Sequence, residues 1–493
     1  MDCCSALLLL FILFVSCVIL SYTRILKEKA ALPPGPIPIP FLGNLLQMDT
    51  SDISGTLMKM KKKYGPVFTL YFGSKPGVVI CGYKAVKEAL VNQNDVFGDR
   101  GDYPAFSNFL GDHDISFANG DGWKHRRHFA LTTLRHFGMG KRSVEDKILE
   151  EAQFLIKELK ETKGSPVNPL FCLGRAVSNV TCVLLYGKRF DHRDKRLVAI
   201  TESTFGNLLI MSSKWGALYN MYPSLMKFVP GPHKNLQKNY QVIDDITKEF
   251  VKNHEKTLDP ENLRDYLDCF LVKIKEEKDN SDSAFNMKSL TATIQNLIFG
   301  GTVTVSATLF YGILILMKYP DVAERIQKEI DSVVGRDGSP SMADRTKMPY
   351  TEATLYELMR FCNLIPTSFP HRTTKDTVFS GFHIPKGTFV APLLTSVHYD
   401  PECYSEPNKF NPNNFLDDKG LFKKNDAHMP FSAGKRICLG EGLARMEIFL
   451  FFTTLLQNFT FKPIVPRDGI DIRPTGTGLA SIPPMYQCCI LPR

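Results

Sequence analysis

A glycine-bent loop near the end of the chain carries one cysteine directly before an apolar helical pattern. The loop spans Pro430 to Gly442 with the thiol at Cys438, and the apolar stretch runs from Leu443 to Phe459. A thiolate at the start of a helix faces free backbone N–H groups and the positive end of the helix dipole, so we expect its pKa to be lowered. The alternative interpretation is a buried, inert cysteine at a helix start.

Four neighbours of this cysteine suit a thiolate that binds a metal held in a flat ligand. Gly434 permits a backbone bend that a Cβ atom would obstruct, and Gly440 lets the first helical turn approach the ligand closely. Arg436 can hold an anionic edge of the ligand with a bidentate fork, and Phe431 can shield the sulfur from water. Together these residues predict a shielded thiolate bound to a haem iron.

The loop resembles the cysteine-ligand loop of the cytochrome P-450 monooxygenases, Phe-x-x-Gly-x-Arg-x-Cys-x-Gly. All five fixed positions match, at Phe431, Gly434, Arg436, Cys438 and Gly440. The resemblance extends from Leu32 to Arg493 and looks closest to the vertebrate microsomal family-two type. It implies a mainly α fold, in which a large helical domain holds haem between two long helices beside a small β-rich region, with an N-terminal transmembrane helix.

This resemblance implies the insertion of one oxygen atom of O2 into lipophilic substrates, either xenobiotics or fatty acids. The cofactor would be haem b (iron protoporphyrin IX), with the Cys438 thiolate as its axial metal ligand and a catalytic group. Because the sequence contains no dinucleotide fingerprint, the electrons must come from another protein. The resemblance points to NADPH–cytochrome P-450 reductase, with the microsomal b-type cytochrome as a further candidate.

A helical pattern from Met287 to Lys318 has the glycine pair Gly300-Gly301 at its centre. Each mid-helix glycine costs about 1 kcal/mol relative to alanine, which an opening of the helix over the iron would explain. The stretch resembles the family's oxygen-binding helix, which implies that Gly301 makes room for dioxygen and that Thr304 holds the waters that bring protons. The usual acidic residue of this helix is replaced by Val303.

The valine leaves other functions open, since it cannot relay a proton. One alternative is a thiolate-haem peroxygenase or isomerase, which would turn over with peroxide. Another is a non-catalytic haem or lipid-binding protein, against which Thr304 argues. For the helix itself, the alternative interpretation is a glycine packing kink without chemistry.

Four residues match positions from which the family holds the haem propionates: Arg100, His371, Trp123 and Arg127. Trp123 and Arg127 are four residues apart in a helical pattern and therefore share one face. The resemblance implies that the indole N–H and the guanidinium of this pair bind one propionate. The opposite face is either a dock for an acidic redox partner or a solvated basic surface; it carries Lys124, Arg126, His128 and Arg135.

The Glu-x-x-Arg pattern of Glu357 and Arg360 places opposite charges at i and i+3 on one helix face. The resemblance implies a buried structural pair. Its partner segment, residues 407–415, departs from the family at Asn414, where a basic or imidazole residue is usual. A third member of the network is therefore altered.

The predicted substrate pocket has a phenylalanine-rich wall, which favours lipophilic ligands without choosing between foreign compounds and fatty acids. Residues 101–118 predict a loop suited to a mobile pocket wall. Residues 221–232 are apolar but helix-breaking, so they predict either a loop that dips into the membrane or a buried connection. The candidate wall residues are Phe106, Phe109, Phe117, Phe205, Leu208, Phe299, Gly300, Ile365, Phe369 and Leu479.

The composition excludes several other classes of protein. The net charge of the 493 residues is +9, and acidic and basic residues are mixed along the chain, which argues against a dedicated nucleic-acid binder. The 12 cysteines include no Cys-x-x-Cys pair, so neither a disulfide framework nor a zinc site is indicated.

The N-terminal run from Cys3 to Tyr22 is apolar, uncharged and long enough to span a bilayer. Arg24, Lys27 and Lys29 follow it, so the positive-inside rule places the body of the protein in the cytosol. A cleaved signal peptide is the alternative, but the usual basic n-region is absent. The prolines of residues 32–40 predict a stiff, extended spacer.

We therefore expect a transmembrane anchor at residues 1–23, a basic and proline-rich hinge at 24–45 and the catalytic domain at 46–493. No flexible linker divides the middle of the chain. The expected location is the endoplasmic reticulum membrane, with a single N-terminal anchor and the catalytic domain on the cytosolic face.

Overall fold

The computed structural model describes residues 3–29, 32–139 and 142–493. Met1, Asp2, Ala30 and Ala31, which belong to the predicted anchor and hinge, lie outside the described residues. Helices dominate the described chain. In order, they are α1 (Cys3–Lys29), α2 (Ile53–Tyr64), α3 (Tyr83–Lys87), α4 (Asn94–Phe97), α5 (Pro104–Leu110), α6 (Gly120–His136), α7 (Arg142–Lys160), α8 (Leu170–Tyr186), α9 (Lys195–Met211), α10 (Lys214–Met221), α11 (Pro223–Met226), α12 (Asn235–Thr257), α13 (Tyr266–Glu276), α14 (Met287–Lys318), α15 (Pro320–Val333), α16 (Pro349–Cys362), α17 (Thr395–His398) and α18 (Glu441–Asn458).

The strands are short and form small sheets at the edge of the helical body. The strands are β1 (Val67–Phe72), β2 (Lys75–Cys81), β3 (Asp99–Arg100), β4 (Pro166–Val167), β5 (His371–Arg372), β6 (Thr377–Phe379), β7 (Phe382–Ile384), β8 (Phe389–Leu393), β9 (Phe459–Pro463), β10 (Gly476–Thr477), β11 (Ser481–Ile482) and β12 (Cys488–Pro492). The largest sheet has the order β1-β2-β8-β5-β3, a second has the order β4-β12-β9, and β6-β7 and β10-β11 form two-stranded ribbons.

Helix α14 runs through the centre of the molecule and packs most extensively against α8. It starts at a capping box, in which Asn286 Oδ1 accepts from the Ser289 N–H and Ser289 Oγ accepts from the Asn286 N–H. By length and composition α14 could cross a membrane, but 78% of its most apolar window is buried inside the protein. It is therefore the core helix, and its predicted limits are confirmed.

Two local predictions need correction. Residues 101–118 are not all loop, because α5 forms within them with Pro104 at its start, a position that proline favours. Within residues 221–232, proline again starts a short helix, α11. The chain after α11 is not a buried connection, since Phe228 is 84% exposed.

The N-terminal helix α1 extends to Lys29, which is beyond the expected end of the anchor at residue 23, and the proline-rich chain from Leu32 to Pro40 is not helical. The described side chains of α1 are mostly exposed, among them Leu7, Phe11 and Leu20. The extended chain that follows α1 lies along β1, where the Thr69 N–H donates to the Pro34 carbonyl (2.9 Å) and Thr69 Oγ1 donates to the Pro33 carbonyl (2.9 Å). The proline-rich part of the predicted hinge is thus fastened to the largest sheet.

Candidate functional site

A large internal cavity lies between α14 and the loop that leads into α18. The cavity has a volume of about 270 Å³, and apolar side chains form most of its wall. Cys438 reaches it from the loop, while Thr304 reaches it from α14. The two groups predicted to do chemistry therefore face the same enclosed space.

The loop that carries Cys438 is built on backbone geometry. Gly434 has φ +74°, and a Cβ atom added there would overlap the Leu90 carbonyl oxygen, so the predicted need for glycine is confirmed. The Cys438 N–H donates to the Phe431 carbonyl (3.0 Å), which closes the loop. Gly440 also lines the cavity, and a Cβ atom there would contact no protein atom within 4 Å.

The thiol of Cys438 is surrounded by protein but accessible from the cavity. Burial raises its pKa, while the backbone N–H groups of Gly440 and Glu441 and the charge of Arg127 act in the opposite direction. The predicted lowering of the Cys438 pKa is therefore wrong for the protein without a bound metal. The cost of burying a thiolate exceeds the stabilisation that the N–H groups at the start of α18 provide. A bound cation reverses this balance, since metal ligation deprotonates a thiol.

Three arginines line the cavity on one side: Arg100, Arg127 and Arg436. Burial lowers the pKa of each guanidinium, that of Arg436 to about 9, and the other two charges lower the pKa of Arg100 further. Asp99 and Asp114 are the acidic groups that act on Arg436, and burial raises the pKa of Asp114. A buried cluster with this excess of positive charge fits an anionic ligand such as the two propionates of haem.

Arg436 is fixed in place by the protein itself. Its guanidinium donates to the oxygens of Gly98 (2.9 Å), Ala118 (2.9 Å) and Asn119 (2.7 Å). The Cζ atom of Arg436 lies 3.3 Å from the ring centroid of Trp123. This cation–π contact fixes the orientation of the guanidinium plane. Three of the five N–H groups are thus used, and the remaining two are free for a ligand.

Trp123 and His371 lie behind the arginines and do not line the cavity. The Trp123 indole N–H donates to the Ile115 carbonyl (3.0 Å). His371 Nδ1 lies 2.7 Å from the Phe97 carbonyl, and its Nε2 lies 2.7 Å from Arg100 Nη1. The structure therefore differs from the expected direct contacts with propionates, because the donors of both residues already have protein partners.

The basic face of α6 is smaller than the sequence suggested. Lys124, His128 and Arg135 are exposed. Arg126 is buried, however, and donates to the carbonyls of Asp112 (2.7 Å) and Ala284 (3.4 Å). It connects α6 to two neighbouring loops and is unavailable to a redox partner.

The glycine pair of α14 does not open the helix, which is continuous from Met287 to Lys318. A Cβ atom at Gly300 would meet nothing within 4 Å, whereas a Cβ atom at Gly301 would overlap Thr181 Oγ1 on α8. The expected role of Gly301 in making room by opening the helix is therefore corrected: this glycine permits close helix packing. Thr304 Oγ1 donates to the Gly300 carbonyl (2.7 Å), and Val303 is buried in the cavity wall.

Seven of the ten predicted pocket residues line the cavity: Phe106, Leu208, Phe299, Gly300, Ile365, Phe369 and Leu479. The other three are corrected. Phe117 forms a second layer behind the wall, with ring centroids 4.6 Å from Phe106 and 5.0 Å from Phe369. Phe109 stacks on Tyr240 (4.9 Å), and Phe205 turns towards α8, where it contacts Phe171.

Sequence reasoning missed several polar residues of the wall, among them Thr181, Asn296 and Glu447. Each of these three has a buried side-chain atom without a hydrogen-bond partner among the described residues. Burial raises the pKa of the Glu447 carboxyl well above its usual value. Its position was detectable, because Glu447 follows Leu443 and Ala444 at helical spacing on the cavity face of α18.

The predicted charge pair on α16 is buried, as expected. Glu357 and Arg360 are both 0% exposed and form two hydrogen bonds of 2.7 Å. Asn414 occupies the altered third position and donates to the Glu357 carboxylate at 3.2–3.3 Å. Arg360 also donates to the carbonyls of His398 and Pro407, so the pair fastens α16 to the segments before the cysteine loop and has no part in the cavity.

Comparison with known proteins agrees with the geometry of this loop and cavity. The family model described as cytochrome P450 matches residues 33–490. The chain belongs to the cytochrome P450 family. It is 49% identical over 493 residues to cytochrome P450 2F3 of Capra hircus and to cytochrome P450 2F1 of Homo sapiens, covering 100% of each chain. It is also 46% identical over 495 residues to cytochrome P450 2G1 of Oryctolagus cuniculus, again over 100% of both chains. Family membership implies a haem-thiolate monooxygenase of xenobiotic or lipid substrates.

Proposed function

We propose that this P450 inserts oxygen from O2 into lipophilic substrates inside the cavity, with haem b held by Cys438. Haem bound there supplies the activation of O2. The Cys438 sulfur would hold the iron, and Arg100, Arg127 and Arg436 would hold the propionate carboxylates. The observation that carries this proposal is a thiol and three guanidinium groups that line the same cavity, of which Arg100 and Arg436 are buried and Arg127 is half-buried.

The opposite wall suits substrate binding and proton handling. Phe106, Phe299 and Phe369 exclude water and orient an apolar substrate, and the Phe106 and Phe299 rings lie edge to face at 5.6 Å. Thr304 lines the cavity from α14 and donates its hydroxyl proton to the Gly300 carbonyl, which leaves Oγ1 able to accept a hydrogen bond. These features favour lipophilic compounds as a class and do not separate xenobiotics from fatty acids.

The decisive experiment is the absorption spectrum of the ferrous protein under carbon monoxide. We expect the red-shifted Soret band of a thiolate-bound haem for the wild type and for the control Cys403→Ser, whose half-buried thiol lies outside the cavity. Cys438→Ser should lose the band. Correctly assembled wild-type protein without this band would refute the proposal.

NADPH–cytochrome P-450 reductase is the electron donor in this proposal. The exposed cations Lys124 and Arg135 on α6, with the exposed His128 between them, support an acidic partner, and the microsomal b-type cytochrome would compete for the same face. Turnover of a lipophilic compound panel with NADPH and reductase tests this assignment. Product formation that needs no reductase would contradict it.

The endoplasmic reticulum membrane is the proposed location, with α1 as the anchor and the body on the cytosolic side. A second apolar surface supports contact with lipid, because Leu225 and Phe228 are exposed near the exposed Ile37 and Phe41 segment. Tyr222 joins the two segments by donating to the Phe41 carbonyl (2.5 Å). Flotation of the full chain with vesicles, compared with Phe228→Asp, tests this contact.

A thiolate-haem peroxygenase or isomerase is the second candidate, favoured by Val303. None of the α14 residues that line the cavity carries a carboxyl group. This candidate predicts turnover with a hydroperoxide and negligible turnover with NADPH and reductase. Measuring both rates on one preparation separates the two functions.

A further inference from the structure

Helix α8 brings a hydroxyl group to the catalytic face of α14. The Thr181 Oγ1 atom occupies the place where a side chain at position 301 would begin, since a Cβ atom on Gly301 would overlap it. Thr181 and Gly301 both line the cavity. Glycine at 301 therefore lets a neighbouring helix supply the polar group that α14 lacks at this point.

The position of this hydroxyl relates it directly to Thr304. Residues 301 and 304 are three apart on one helix, so their Cβ positions are neighbours about 5–6 Å apart. Two hydrogen bonds of about 2.8 Å each span the same distance. Thr181 Oγ1 lies against the first of these positions and Thr304 Oγ1 is one bond from the second, so the gap between the two oxygens is on the scale that one water molecule can bridge.

The hydrogen-bond partners give this bridge a direction. Thr304 already donates its proton to the Gly300 carbonyl (2.7 Å), so its oxygen is left to accept. Thr181 Oγ1 is buried and has no partner among the described residues. A water between them would accept from Thr181 and donate to Thr304, which satisfies the buried hydroxyl.

Neither side chain that flanks Thr304 on α14 can hold this water. Val303 and Val305 are both buried, apolar and part of the cavity wall. We propose that Thr181 is a positioning residue that holds the water donating to Thr304 Oγ1, and so keeps protons available at the substrate side of α14. The proposal rests on the monooxygenase function proposed above.

The test compares Thr181→Val, which keeps the shape and removes the hydroxyl, with Thr181→Ser, which keeps the hydroxyl. The full chain is assayed with NADPH, reductase and a lipophilic substrate, and product and hydrogen peroxide are measured per NADPH oxidised. We expect Thr181→Val to lower the product per NADPH at least threefold with little change in substrate KM. Thr181→Ser should stay within a factor of 1.5 of the wild type.

A matched control is available at the same contact between α8 and α14. Thr302 Oγ1 lies 3.2 Å from Ser178 Oγ, fully buried and away from the cavity. Thr302→Val removes a hydroxyl from the contact between α8 and α14 and should leave the product per NADPH unchanged. An equal loss in Thr302→Val and Thr181→Val would show a packing effect and overturn the proposal, as would wild-type coupling in Thr181→Val.

A structural readout keeps the inference separate from turnover. A high-resolution crystal structure of the wild type should contain a water within about 3.2 Å of both hydroxyl oxygens, and the Thr181→Val structure should lack it. Absence of this water from the wild type would overturn the inference even if the enzyme is active. Wild-type protein with the water but without NADPH-driven product would instead refute the proposed function.

Discussion

The Nη1 atom of Arg100 lies 2.7 Å from the Nε2 atom of His371. Arginine can only donate, and His371 Nδ1 must donate to the Phe97 carbonyl, so His371 is neutral and accepts at Nε2. Burial and the charge of Arg100 keep the pKa of His371 well below the usual value. His371 thus orients Arg100, and through it the propionate contact proposed above.

The first prediction concerns this orientation. His371→Leu removes the acceptor and leaves a buried Arg100 N–H unpaired, so the purified protein should retain less than half of the wild-type haem per chain. His371→Gln, whose amide can donate and accept, should retain most of it. Haem content and the ferrous carbon monoxide spectrum measure both. Equal retention in the two variants would contradict a hydrogen-bonding role.

A second prediction separates two glycines of the cysteine loop. Gly434→Ala places a Cβ atom against the Leu90 carbonyl at a positive φ, which should lower the free energy of unfolding by about 2 kcal/mol or more. Gly440→Ala meets no protein atom and should leave the unfolding of the haem-free chain unchanged, yet reduce haem binding by narrowing the cavity. Urea unfolding and haem titration distinguish the two effects.

The third prediction concerns the buried pair on α16. Glu357→Gln would leave Arg360 as an uncompensated buried charge, with an expected loss of about 3–5 kcal/mol of unfolding free energy. The control is Glu406→Gln, which breaks an exposed i,i+3 pair with Lys409. We expect that change to have little effect on the free energy of unfolding, because exposed ion pairs are screened by water. Similar losses in both variants would show that burial of the pair is not what stabilises α16.

A fourth prediction addresses the valine on α14. Val303→Glu places a carboxyl group in the cavity wall beside Thr304, and product formed per NADPH oxidised should rise with a matching fall in peroxide. Val303→Gln has a similar shape but no exchangeable acid proton and serves as the control. An unchanged ratio in Val303→Glu would mean that protons reach Thr304 by another route.

The fifth prediction is a pH dependence of stability. Burial lowers the pKa of His398 to about 3, and the ring is held by Asn363 Oδ1 (2.9 Å) and the Met429 N–H (3.2 Å). Below pH 6.5 His398 is protonated in the unfolded chain but stays neutral in the folded chain. The free energy of unfolding therefore falls as the pH is lowered, by up to about 1.4 kcal/mol per pH unit for this residue. Urea unfolding at pH 7 and pH 5 should show a smaller difference in His398→Gln than in the wild type.

The cysteine loop could be predicted from sequence because its constraints are local. The loop has few conformations available to it. Gly434 takes a left-handed backbone conformation, the Cys438 N–H closes the loop with a hydrogen bond, and α18 begins directly after Gly440. Helix α14 could be predicted for a similar reason, since its length and apolar composition exceed those of any surface helix. The family resemblance then gave the order of the remaining elements.

The misplaced residues all depend on contacts between distant segments. The burial of Arg126 is decided by the loops at Asp112 and Ala284, which its own helix does not reveal. The spacing of Trp123 and Arg127 correctly placed both residues on one face of α6. It did not reveal that the Ile115 carbonyl accepts the hydrogen bond of the indole N–H. The purpose of Gly301 is visible only when Thr181 of another helix is placed against it.

The two bonds from Thr69 to Pro33 and Pro34 limit how far the body can move from the N-terminal helix. Only four peptide steps separate Lys29, the last residue of α1, from Pro33. Fully stretched, that tether spans at most about 14 Å. Any bilayer that holds α1 therefore keeps the edge of the largest sheet close to its surface.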